Sequence, residues 1–207
     1  MDSFNKTVDN IQNGLTRELP GLDAQIKMSP SFRGENRFNS SPTSTTRNSA
    51  ILISLFPKNG LAYTVLIKRT TYNGVHSGQV SFPGGKQDDS DTSIVHTALR
   101  EAQEEVGIEP DSIHVIGELT PLFIPVSNLM VHPVVGIMPA PKQFYPNLHE
   151  VEYTIVTDLL HFKKTENLSV KTLCVNNIPI SAPYYAVGND MVWGATAMII
   201  SELTELY

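Results

Sequence analysis

The sequence predicts an α/β protein of the α+β kind: a mixed β-sheet core sandwiched between helices, with an N-terminal helix and linker added. Three observations carry this reading. β-rich runs and helical periods alternate irregularly along the chain, which disfavours a doubly wound parallel sheet. No self-similarity recurs at a solenoid period. The chain has 207 residues, 41% of them hydrophobic, which suffices for one sizeable core.

Phe4, Val8, Ile11, Leu15 and Leu19 recur at helical spacing and stop at Pro20-Gly21. An amphipathic helix is expected there, docked on the main domain or on a partner; a second copy in a homodimer would suit it. Residues 29–49 are rich in Ser, Thr, Asn, Pro and Arg without apolar period, and read as a long loop or linker. The chain therefore divides into residues 1–49 and a compact domain over 50–207. Runs 50–56 and 61–68 are β-rich and joined by Pro57-Lys58-Asn59-Gly60, the composition of a hairpin turn. Residues 74–85 form a glycine-punctuated loop, and 93–106 a helix. Further strands are expected over 113–119, 131–138, 151–157 and 184–187, and a last helix over 194–203.

Composition excludes several classes of function. Charged residues are 17% of the chain, below the usual ~25%, which argues against disorder or a long coiled coil. A net charge of −6 gives no support to a nucleic-acid role built on phosphate neutralisation. The single cysteine, Cys174, excludes an internal disulfide and a multi-cysteine zinc site. No apolar run approaches the ~20 residues of a membrane span, and the N-terminus shows no basic region followed by an apolar stretch. A cytoplasmic enzyme or binding protein is expected.

The charge is concentrated. Between Asp88 and Asp111 stand eight acidic residues and one base, Arg100, so this window carries −7 and the rest of the chain +1. At ~100° per residue, Val95, Leu99, Ala102 and Val106 share one helical stripe suited to packing on a sheet. Glu101, Glu104 and Glu105 fall on the opposite side, within an arc of roughly 100°. Like charges so placed repel. The set is either a solvated acidic face or a site for a hard divalent cation, which takes a few carboxylates while keeping waters and phosphate oxygens. Arg100 stands four residues before Glu104 and can orient its carboxylate. The helix is preceded by Phe82-Pro83-Gly84-Gly85, where glycine lets backbone groups approach a ligand.

The run from Gly85 to Ile108 resembles the Nudix box, G-x5-E-x7-R-E-U-x-E-E-x-G-U. Arg100-Glu101-Ala102-Gln103-Glu104-Glu105-Val106-Gly107-Ile108 matches its second half. In the first half, Gly85 to Arg100 is one residue longer, and Asp91 stands at the first acidic position, either in the box's role or as a helix cap. Upstream, Leu66-Ile67-Lys68-Arg69-Thr70 and His76-Ser77-Gly78-Gln79-Val80-Ser81-Phe82-Pro83-Gly84-Gly85 are similar to the motif preceding the box in coenzyme A pyrophosphatases. Thr97-Ala98-Leu99-Arg100-Glu101 and Trp193-Gly194-Ala195-Thr196-Ala197 are also similar to that branch.

The resemblance implies a Nudix fold and hydrolysis of the diphosphate of coenzyme A or a derivative, giving 3′,5′-ADP and 4′-phosphopantetheine. It implies Mg²⁺ or Mn²⁺ held by Glu101, Glu104, Glu105 and the Gly85 carbonyl, neutralising the diphosphate and activating water. Glu104, Glu105 and Arg100 would act in catalysis. Glu150 is the candidate for an additional carboxylate from a later loop, serving as ligand or base. Arg69, His76, Gly78, Phe82 and Gly84 would line the substrate. Arg69 is read as a phosphate contact or as a surface residue, and His76 as a substrate contact or as a brace for the loop. Trp193, Tyr184 and Tyr185 are core residues or a stacking platform for adenine. The rival readings are a Nudix enzyme acting on ADP-ribose or a dinucleotide polyphosphate, and a non-catalytic nucleotide-binding module.

Overall fold

The computed structural model describes residues 3–32, 35–36, 41–71, 74, 76–175 and 178–207, without the side chains of 32, 35 and 36. Parts of the expected linker (33–34 and 37–40) and of the glycine loop (residue 75) lie outside the described residues.

Helix α1 spans Phe4–Leu15 and is capped by Ser3, whose Oγ accepts from the Lys6 N–H. It ends before Leu19; a short helix α2 (Gly21–Gln25) follows. Val8 and Ile11 are buried in the chain's own core. The apolar face that the sequence offered to a second copy is therefore covered by the protein itself.

Within the expected linker, β1 (Ser31–Phe32) pairs with β2 (Glu35–Asn36), and β3 (Arg47–Lys58) begins earlier than residue 50. β3 turns into β4 (Leu61–Arg69) through Asn59 and Gly60, both at positive φ (52° and 77°). Two such residues make the tight hairpin turn whose twist matches its strands. β5 (Val80–Ser81) and β6 (Gly84–Lys86) carry the chain to α3 (Ile94–Val106). Then come β7 (His114–Glu118), β8 (Leu122–Ile124), β9 (Leu129–Ile137) and β10 (Val151–Asp158). β11 (Leu168–Val175), β12 (Ile178–Val187), β13 (Asp190–Trp193) and α4 (Gly194–Thr204) complete the chain.

The central sheet has the order β10-β4-β3-β9-β7, with β5, β6 and β8 added on β4, β3 and β9. β3 and β9 run parallel from Arg47↔Leu129 to Leu55↔Ile137, while β3–β4, β4–β10 and β7–β9 are antiparallel, so the sheet is mixed as expected. Alternate β3 residues face opposite ways. Ala50 and Leu52 meet Ala98, Ala102 and Val106 of α3 on one side. Ile53 and Leu55 join α1, α4, and Tyr185 and Val192 of the smaller sheet (β12 with β11, β13 and β1) on the other. Helices thus cover both faces. The sequence reading missed β11 and the first half of β12, because β11 is an edge strand exposed over most of its length and shows no in-out pattern. Among the described residues no helix is long and apolar enough to cross a membrane.

Candidate active site

α3 begins at Ser93, whose Oγ accepts from the His96 N–H at 3.0 Å, and ends at Gly107 in the left-handed conformation (φ 70°). Between these stops the helix presents its acidic residues to the loop over 82–86. The register of β6 on β3, Ile51↔Gly84 and Ala50↔Gly85, holds that loop across the helix. At Gly84 an added Cβ would lie 2.3 Å from the Ala50 carbonyl oxygen, so only glycine fits the approach.

Glu105 departs from the expected exposed face. It is 0% exposed, because Ala98, Ala102 and Val106 pull the buried arc of α3 around to include it. Its Oε2 accepts from the Gly84 N–H at 2.8 Å, and Arg69 Nη1 faces its Oε1 at 3.1 Å. Among the described residues, Oε1 has no hydrogen-bond partner in good geometry. Burial pushes the Glu105 carboxyl up to about 7, against the pull of Arg69 and the Gly84 N–H. Glu101 packs on Gly85, where an added Cβ would lie 2.3 Å from its carboxyl carbon. Burial also raises the Glu101 carboxyl above its ordinary value.

Arg100 organises the other acidic residues. Its Nη1 reaches Glu101 Oε1 at 3.0 Å and Glu104 Oε2 at 3.1 Å, and its Nη2 donates to the Lys86 carbonyl. Its Nε and Nη2 donate to the two oxygens of Asp91 at 2.9 Å each. Asp91 also accepts from the Asp88 N–H and the Thr97 hydroxyl, at 2.9 Å each, and lies 2.9 Å from His96 Nδ1. Its oxygens are fully engaged, and the guanidinium holds its carboxyl far below the usual carboxylate range. Asp91 is an anchor for Arg100 rather than a cation ligand. Asp91 stands three residues before α3, and its role is not legible from its position in the box alone, because Arg100, Thr97 and His96, which engage it, lie on that helix.

Glu150 is exposed and stands at the turn leading into β10, where its carbonyl accepts from Thr70 N–H at 2.9 Å. Its charge raises the Glu101 and Glu105 carboxyls, so it belongs to the same electrostatic site. His76 Nδ1 lies 3.2 Å from Gln79 Oε1, and the Gly78 N–H donates to the Thr70 carbonyl, so both brace the loop after β4. Phe82 is 1% exposed and packs in the core, supporting the loop from beneath rather than offering a surface to a ligand. Tyr185 is likewise core, while Tyr184 and Trp193 are half-buried and opposite one another on β12 and β13.

Among the described residues no three carboxylates, imidazoles or thiols already converge on one cation position. Arg100 takes an oxygen from each of Glu101 and Glu104, and Arg69 faces Glu105. The donor set nevertheless fits a hard divalent ion. Among the described residues the buried Oε1 of Glu105 lacks a hydrogen bond in good geometry, and burial, with neighbouring carboxylates adding to it, raises the Glu101 and Glu105 carboxyls, a strain that a bound cation would relieve.

A family model for the NUDIX domain matches residues 45–158. The chain is similar to the mitochondrial coenzyme A diphosphatase NUDT8 of Homo sapiens, at 37% identity over 157 residues, 73% of this chain and 66% of that protein. The match thus spans just under two thirds of the human protein. It is also 37% identical over 168 residues to the Nudix hydrolase NudL of Yersinia pestis, covering 79% of this chain and 81% of that one. Among solved structures, a MutT/nudix family protein from Enterococcus faecalis superposes with a TM-score of 0.50 at 16% identity, over 84% of this chain and 65% of that chain. That likeness speaks for the fold.

Proposed function

The chain belongs to the NUDIX domain family and is a pyrophosphohydrolase, and from that premise we propose that it hydrolyses the diphosphate of coenzyme A or a coenzyme A derivative, giving 3′,5′-ADP and the corresponding 4′-phosphopantetheine. The observation that carries the substrate assignment is the 37% identity to a protein named as a coenzyme A diphosphatase. The resemblance of residues 66–70 and 76–85 to the motif preceding the box in coenzyme A pyrophosphatases supports it, and Arg69 and Gly84 of those segments meet Glu105.

In the reaction a water oxygen forms a bond to one phosphorus, the bridging P–O bond breaks, and the water proton leaves. Glu101, Glu104, Glu105 and the Gly85 carbonyl would hold Mg²⁺ or Mn²⁺, which when bound would supply charge neutralisation at the diphosphate and a lowered pKa for water. The protein's part is positional. Asp91 fixes Arg100, and Arg100 sets Glu101 and Glu104. Arg69 and the Gly84 N–H hold Glu105, and Glu150 takes the proton of the attacking water.

The test is turnover of coenzyme A, acyl-coenzyme A, ADP-ribose and a dinucleotide polyphosphate, each with Mg²⁺ or Mn²⁺. The highest kcat/KM on a coenzyme A substrate is expected. A preference for ADP-ribose or a dinucleotide would overturn the substrate assignment and leave the hydrolase, and nucleotide binding without turnover of any of them would overturn both.

A further inference from the structure

Residues 138–150 join β9 to β10 and end on Glu150. Asn147 is the centre of this segment's hydrogen bonding. Its N–H donates to the Glu105 carbonyl at 2.9 Å, one of the carbonyls that α3 leaves without a partner inside the helix. Its own carbonyl accepts from the Glu150 N–H at 2.9 Å and the Val151 N–H at 2.8 Å. Its side-chain Oδ1 accepts from the His149 N–H at 3.2 Å, which closes an Asx turn. From the opposite flank Thr70, the residue after Arg69, donates its N–H to the Glu150 carbonyl at 2.9 Å and its hydroxyl to the His149 carbonyl at 3.2 Å.

The backbone around Glu150 is thereby tied to α3 and to the end of β4. These are the elements whose side chains, Glu105 and Arg69, face one another at 3.1 Å. Core packing does not account for the arrangement, because Leu148, His149 and Glu150 are all exposed. What the bonds fix is the backbone position of Glu150, beside the elements that carry Glu105 and Arg69.

We infer that Asn147 is a positioning residue, which sets Glu150 against Glu101 and Glu105 through its Asx turn and its bond to the Glu105 carbonyl. The inference rests on the hydrolase reading and on Glu150 as the proton acceptor, but not on which diphosphate is the substrate. A base acts only from within hydrogen-bond reach of the proton it takes, and a misplacement of ~1 Å can cost ~100-fold. Relaxing the turn should therefore act on turnover rather than on substrate capture.

The experiment compares Asn147→Ala, Asn147→Ser, Glu150→Gln and the Asn147→Ala/Glu150→Gln double variant in the full chain, on the fastest diphosphate substrate. Asn147→Ala should lower kcat about tenfold with KM changed by less than about twofold. Asn147→Ser, whose hydroxyl can still accept from the His149 N–H, should recover most of the loss. Against the Glu150→Gln background, Asn147→Ala should cost no more than about twofold. Amide exchange at His149 and Glu150 should quicken about tenfold in Asn147→Ala, with or without turnover. Multiplicative losses in the double variant, Ser performing no better than Ala, or unchanged exchange would each overturn the inference. Wild-type kcat in Glu150→Gln would overturn it together with the role of Glu150, and leave the hydrolase reading standing.

Discussion

Asp91 grips Arg100 with both carboxylate oxygens, at 2.9 Å to Nε and 2.9 Å to Nη2, and no part of its side chain is open to solvent. The remaining guanidinium nitrogen is thereby aimed at Glu101 and Glu104. The departure from the box pattern, a shorter acid one residue farther from the arginine, is thus accommodated by a turn. The Asp91 N–H donates to the Asp88 carbonyl at 3.0 Å and brings the short side chain onto α3.

Asp91→Asn keeps the shape and removes the charge that Arg100 pairs with. The guanidinium is then free to lean on Glu101 and Glu104. A fall in kcat of roughly 10- to 100-fold is expected, with a melting midpoint lower by several degrees. Asp91→Glu should not rescue it, since an added methylene in a filled site costs ~1–3 kcal/mol. Steady-state kinetics and thermal melting check both, and wild-type kcat in Asp91→Asn would show that Arg100 needs no anchor.

Neighbouring glycines should fail differently. In Gly84→Ala the new methyl would meet the Ala50 carbonyl oxygen at 2.3 Å, which is backbone and cannot swing away. That variant should be poorly folded or strongly destabilised. In Gly85→Ala the obstacle is the Glu101 carboxylate, the far end of a flexible side chain, also at 2.3 Å. The fold should survive with a near-normal melting curve while Glu101 is displaced and activity drops by orders of magnitude. Circular dichroism, melting and kinetics on the two variants separate the cases.

Arg69 faces a carboxylate that has no exposure. Arg69→Ala removes the cation that holds the Glu105 carboxyl down, so that carboxyl should rise further and keep its proton at neutral pH, unfit to hold a cation. Activity on coenzyme A and on dephospho-coenzyme A should fall by similar factors, preserving any gap between them. A loss confined to coenzyme A would instead mark Arg69 as a reader of the 3′-phosphate.

Glu105 makes stability depend on pH. Its folded value, about 7, lies above the ordinary 4.5, so the folded state binds the proton more tightly than the unfolded chain. The stabilisation by the neutral carboxyl is fully present below about 4.5 and is lost as pH rises through about 7. In EDTA the melting midpoint of the wild type, measured relative to Glu105→Gln, should therefore fall between pH 5 and pH 8. Adding Mg²⁺ or Mn²⁺ near pH 7 should release roughly half a proton, seen as a dependence of the binding enthalpy on buffer ionisation. A wild-type curve parallel to that of Glu105→Gln across this range would contradict the raised value.

The local sequence determined α3 from Ser93 to Gly107, the Asn59-Gly60 hairpin, the principal strands of the central sheet, and the acidic residues gathered on one helix. Each of these depends on periodicity, capping or turn residues a few positions apart, so neighbouring residues suffice to specify them. Tertiary structure decided the rest. The helical wheel set Glu105 among the exposed acids, yet Ala98 and Ala102 let α3 lie so close to β3 that the Gly84 loop closes over it. Asp91 was ambiguous until the fold supplied Arg100, Thr97 and His96 as partners. The N-terminal helix had an apolar stripe with two open targets, the main domain or a partner, and packing against β3, β4 and β7 buries its Val8 and Ile11 in the main domain. Asn147 carried no motif at all, since the group it binds is a backbone carbonyl 42 positions earlier. Burial and hydrogen bonding at these positions depend on contacts between segments distant in sequence, and only the folded chain brings those contacts together.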